Sequence, residues 1–88
     1  MPTVNGGSVE SSNDPKNIAT VTTASASNTE DWVLVLNDPP LISNFTKDEK
    51  LIYNSKGTNN PNANNYLTVT SVVGPGKYKC SGNYPINI

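Results

Sequence analysis

The run Tyr66-Leu67-Thr68-Val69-Thr70-Ser71-Val72-Val73-Gly74-Pro75-Gly76-Lys77-Tyr78-Lys79-Cys80 decides the class of fold. From Tyr66 to Val72, apolar and β-branched residues alternate, the period of a strand with one buried face. Gly74-Pro75-Gly76 interrupts that pattern. Tyr78 and Cys80 then share parity on a second strand and point together into a core.

Working outward, Ile18 to Ala26 is an alternating Thr/Ala/Ser/Val run, and Trp32-Val33-Leu34-Val35-Leu36 is continuously apolar. Each predicts a strand. Lys47 to Tyr53 has consecutive apolar residues and leads at once into Asn54-Ser55-Lys56-Gly57, so a short strand is expected there rather than a helix. Asn37-Asp38-Pro39-Pro40 and the Asn-rich stretch from Asn54 to Asn65 are breakers, and no segment carries a helical apolar stripe. Short strands at regular spacing favour an all-β sandwich or a small barrel. Residues 1–16 are polar and small, with Gly6-Gly7 and only two valines, and read as a flexible or partner-docked N-terminal arm. Residues 17–88 are then the domain.

Composition bounds the chemistry. At 88 residues the chain allows one small domain. It is 34% hydrophobic and 15% charged, with more than a third of its residues Asn, Ser or Thr, and its net charge is −1. It contains neither His nor Arg, which removes the commonest general base, metal ligand and phosphate fork. Six lysines spread through an acidic protein do not make the basic stripe of a nucleic-acid binder. Asp31, Asp38, Asp48 and Glu49 lack the register of a calcium loop. The lone Cys80 has no histidine to activate it and reads as a buried thiol. Neither a signal peptide nor a membrane span is visible. The expectation is a non-enzymatic protein with no cofactor, no metal, no nucleic acid and no membrane partner, made in the host cytoplasm.

Leu67-x-Val69-x-x-Val72 followed by Gly76-x-Tyr78-x-Cys80, with Trp32 upstream, resembles the core of immunoglobulin-like domains. Lys50-Leu51-Ile52-Tyr53 is similar to the strand after the tryptophan strand in variable-type members. The resemblance implies a small antiparallel β-sandwich carrying an extended N-terminal arm. It also implies a Tyr78 hydroxyl bonded back to the adjoining loop, and Cys80 packed on Trp32. Three features depart from the family pattern. Val21 or Thr23 stands where the partner cysteine would be, so no inter-sheet disulfide forms; the link from Val72 to Tyr78 is short and has Gly74 where the family has Asp; and eight residues follow Cys80, which limits a last strand to Asn83 to Ile88.

The expected core is Trp32, Leu34, Leu67, Val69, Tyr78 and Cys80. If Trp32 points inward, Val33 and Val35 face outward, beside Lys77 and Lys79 on the neighbouring strand. That patch, with Ile86 and Ile88, is the expected interface. So small a core also favours oligomerisation or docking. Immunoglobulin-like domains recur as accessory modules on tailed-phage virions. The resemblance therefore implies a decoration or cement protein of a tailed bacteriophage, located in the virion and partnered by copies of itself or by a capsid. The alternative is a carbohydrate- or cell-surface-binding module using the Asn59 to Asn65 loop with Tyr66 or Tyr84.

Overall fold

The computed structural model describes residues 3–37, 45–55 and 64–82. Seven strands account for most of them: β1 (Thr3–Asn5), β2 (Ser8–Ser11), β3 (Asp14–Ala26), β4 (Trp32–Leu36), β5 (Lys50–Asn54), β6 (Asn64–Gly74) and β7 (Lys77–Gly82). Every pairing is antiparallel.

The chain is all-β, but it is not a sandwich. β3 pairs with β2, β2 with β5, β5 with β6, β6 with β7, β7 with β4, and β4 returns to β3. This is a closed ring of six strands, a β-barrel. β1 lies along the same edge of β3 as β2 and completes that position of the ring. Two observations overturn the immunoglobulin-like arrangement. First, the segment after Val72 does not cross between two sheets. Gly74 pairs directly with Lys77 across Pro75-Gly76, so β6 and β7 form one hairpin. Proline followed by a glycine at φ 67° suits a type II turn, whose ends lie within about 7 Å and stay in one sheet, short of the ~10 Å between stacked sheets. Second, the Tyr78 hydroxyl meets the backbone N–H of Phe45 at 3.4 Å, not the adjoining hairpin loop.

The N-terminal arm is the other correction. Thr3 to Ser11 supplies two paired strands, and Asp14 to Lys16 begins β3. Val4 and Val9 are fully buried. These residues fill the gap between β3 and β5 that would otherwise leave two open edges. The passage from β1 to β2 turns on Gly6 and Gly7, at φ 85° and 90°. The Gly6 N–H donates to the Thr22 carbonyl and the Val21 N–H to the Gly7 carbonyl, so the ladder runs through the bend. A Cβ on Gly7 would collide with the Asn54 carbonyl, whereas one on Gly6 would meet nothing. The Tyr53 hydroxyl donates to the Gly6 carbonyl at 2.8 Å and pins the bend to β5.

Register irregularities at Glu10/Ser11, Val21/Thr23, Val69/Ser71 and Val72/Gly74 bend the long strands round the ring. The interior is filled by side chains. β1 to β3 contribute small ones, such as Val9, Ala19 and Ala24, while β4 to β7 contribute Trp32, Leu34, Leu51, Tyr53 and Tyr78. Phe45, from the connection between β4 and β5, is fully buried and meets the Tyr78 ring edge-on at 5.7 Å between centroids.

Candidate interaction surface

Strand parity builds the surface. β4 alternates buried and half-buried, with Trp32, Leu34 and Leu36 inward and Val33 and Val35 outward. β7 turns Tyr78 and Cys80 inward and leaves Lys77 and Lys79 exposed. The register then sets Val33 opposite Lys79 and Val35 opposite Lys77. On the other side of β4, Val33 faces Ser25 and Val35 faces Thr23. Two rows therefore cross the wall, Ser25-Val33-Lys79-Ser71 and Thr23-Val35-Lys77-Gly74. Directly opposed side chains on a sheet lie about 4.5–5.5 Å apart at Cβ, so the aliphatic lysine stems extend the apolar area on its β7 side, while Ser25 and Thr23 border it on the β3 side. Val72 and Val73, at 51% and 52% exposure, adjoin the patch near the tip of the β6–β7 hairpin.

The core residues read from the sequence, Trp32, Leu34, Leu67, Val69, Tyr78 and Cys80, are all buried. Trp32 is the direct cross-strand partner of Cys80. Burial pushes the Cys80 thiol up to about 12, so it holds its proton at neutral pH. Lys77 and Lys79 occupy the opposite face of that strand, out of reach for activating it. Among the described residues the buried Trp32 indole N–H has no hydrogen-bond partner; it lies next to Gly82, where a Cβ would stand 3.3 Å from the nitrogen. Ile86, Ile88 and Tyr84 lie outside the described residues, as does the Asn-rich loop apart from Asn64 and Asn65, which open β6. Tyr66 is 53% exposed, and the Lys50 ammonium sits 4.9 Å from its ring centre, covering one face of the ring. Among the described residues no group of three or more His, Cys, Asp or Glu could hold a metal ion.

A second row was not foreseen. Glu10 on β2 pairs with Ile18 on β3 and with Ile52 on β5, and Ile52 pairs with Tyr66 on β6. Ile18 is 42% exposed and Ile52 and Glu10 are half-buried, so an acid interrupts an outward-facing apolar row. A hollow of about 250 Å³ opens at Ser8, Ile18, Ala19 and Thr20 on the same wall. The available signal was the alternation Ser8-Val9-Glu10-Ser11. It is too short to register as a strand on its own.

Fold and register together define a small closed antiparallel β-barrel whose interior is filled by side chains. Compared with protein-family models, with curated proteins and with solved structures, the chain finds no match.

Proposed function

We propose that this chain is a non-enzymatic structural or interaction protein that docks through the β4–β7 wall. A decoration or cement role on a larger assembly, such as the capsid of a tailed bacteriophage, is the setting that suits a small, weakly charged, Asn/Ser/Thr-rich barrel. The observation that carries this reading is the pairing of Val33 with Lys79 and Val35 with Lys77 on an outward face. A chain with a 34% hydrophobic share places β-branched apolar residues there, with lysines along the β7 side and Ser25 and Thr23 along the β3 side. An apolar centre with a polar border is the composition of a docking surface. The interior supports the same reading from the other side, because it is occupied by side chains and its one thiol is held protonated.

Lysine footprinting of the chain recovered from its native source tests this. In a large assembled fraction, Lys77 and Lys79 should resist acetylation while the exposed Lys47 reacts freely. Equal labelling of all three in that fraction, or recovery of the chain only as a free monomer, contradicts the proposal.

A further inference from the structure

Asn5 is the only asparagine of the chain that is followed by glycine. An asparagine so placed is open to attack on its own side-chain amide, because glycine has no Cβ to keep its backbone nitrogen from swinging onto the neighbouring Cγ. Asn5 ends β1 with its side chain exposed to water, and Gly6 follows at φ 85°. The barrel holds Gly6 by both of its polar groups. Its N–H donates to the Thr22 carbonyl of β3 at 3.1 Å, and its carbonyl accepts from the Tyr53 hydroxyl of β5 at 2.8 Å. Asn5 itself pairs with Thr23. From these contacts we infer that Asn5-Gly6 is a site of spontaneous amide-to-acid conversion, which the closed barrel restrains and which, once it has happened, keeps the barrel from closing again.

The reaction needs only water. The Gly6 backbone nitrogen bonds to the Asn5 Cγ, the bond from Cγ to Nδ2 breaks, and ammonia leaves with the proton that the Gly6 nitrogen gave up. The product is a succinimide ring, which water opens on either side. Opening at Cγ leaves aspartate. Opening at the Asn5 main-chain carbonyl leaves isoaspartate, whose main chain runs through Cβ and Cγ and is one atom longer. Ring closure has to rotate the peptide plane between Asn5 and Gly6, which breaks the bond from the Gly6 N–H to Thr22. Conversion therefore proceeds from a state in which β1 has opened, a local event that costs less than global unfolding. Isoaspartate then separates two fixed points, Val4, fully buried and paired with Ala24, and Gly6, bonded to Thr22. The extra main-chain atom lets one of these keep its register but not both. Opening thus becomes irreversible.

The test incubates the full wild-type chain at mildly alkaline pH, in native buffer and in unfolding urea, and follows every asparagine by peptide mapping. Electron-transfer fragmentation separates aspartate from isoaspartate. In urea Asn5 should convert before any other asparagine, and in native buffer its conversion should be roughly tenfold slower or more. Tyr53→Phe, with its fold confirmed by circular dichroism, releases the Gly6 carbonyl and should speed conversion in native buffer roughly fivefold while leaving the rate in urea unchanged. The isoaspartate form, purified by chromatography, should melt below the unconverted chain. Asn5→Gln should melt with the wild type and stay unconverted over the same period. Equal rates at Asn5 in native buffer and in urea, or another asparagine converting first in urea, overturns the inference. So does a Tyr53→Phe rate equal to the wild type's in native buffer, or an isoaspartate form that melts with the unconverted chain.

Discussion

The two halves of the ring are built on different terms. β4, β6 and β7 hold their place with large side chains: Trp32 beside Cys80, Leu34 beside Tyr78, and Leu67 packed near Gly82. β1, β2 and the start of β3 offer the smaller Val4, Val9, Ser11 and Ala19 to the interior and depend on backbone geometry at Gly6-Gly7 and on neighbours to either side. The first half looks like a core from composition alone. The second exists because closing a sheet removes both of its edges, a gain that belongs to the ring and not to any local stretch.

Perturbing the weaker half separates these terms. The largest effect is expected from Val9→Asp, which places a carboxylate in a fully buried position. An unpaired buried charge costs several kcal/mol, a large part of the roughly 5–15 kcal/mol a domain has in total. Thermal unfolding followed by Trp32 fluorescence should show the variant unfolded or nearly so. A free arm would tolerate the change with no shift.

The glycine pair gives the next effect with an internal control. Gly6→Ala meets open space and incurs only the left-handed backbone penalty, about 1–2 kcal/mol. Gly7→Ala adds a collision with the Asn54 carbonyl and should cost clearly more, about 3 kcal/mol or above by urea denaturation. Equal costs would mean that β2 does not approach β5 as closely as described. Tyr53→Phe removes the hydroxyl that donates to the Gly6 carbonyl and should cost about 1 kcal/mol, with the same melting assay as readout.

The most gradual effect, confined to alkaline solution, comes from pH. Burial raises Tyr53 from 10.0 to about 12 and Cys80 from 9.0 to about 12. Both groups are neutral when protonated, so the folded chain holds protons that the unfolded chain releases first. Stability should be full below about pH 9 and decline as pH rises from there toward 12. Cys80→Ala should remove part of that slope, and Tyr53→Phe another part. An alkaline limb unchanged in both variants contradicts the account.

These contrasts also mark how far the sequence could be read. The boundaries of β4 at Trp32 and Leu36 follow from an unbroken apolar run, and the parity of Tyr78 and Cys80 follows from period two. The same rule turned Val33, Val35, Lys77 and Lys79 outward, and the cross-strand register then brought them side by side. Closure was not legible. Val4 and Val9 sit in a stretch whose glycines and serines resemble a tail, and their burial depends on contacts with β3 and β5 far along the chain. Phe45 was hidden for a related reason. No alternating run surrounds it in the sequence, and its burial depends on Tyr78, far along the chain. The short link at Gly74 to Gly76 already conflicted with a crossing between sheets, because a Pro-Gly pair between two alternating runs also reads as a hairpin turn. The Tyr-x-Cys pattern with an upstream tryptophan reports large residues meeting inside a β fold, and a barrel meets that requirement as well as a sandwich. Glu10 is not legible as a surface residue because four residues, Ser8 to Ser11, are too short to mark a strand.

Hydrogen exchange at the backbone amides of Ser8, Val9, Glu10 and Ser11 tests closure most directly. These residues lie between β3 and β5 in the ring. In a closed barrel their protection should match that of β4, with both exchanging through global unfolding. Exchange at the rate of an unstructured chain over Ser8 to Ser11, with β4 and β7 still protected, would mean that the sheet is open and the barrel does not close.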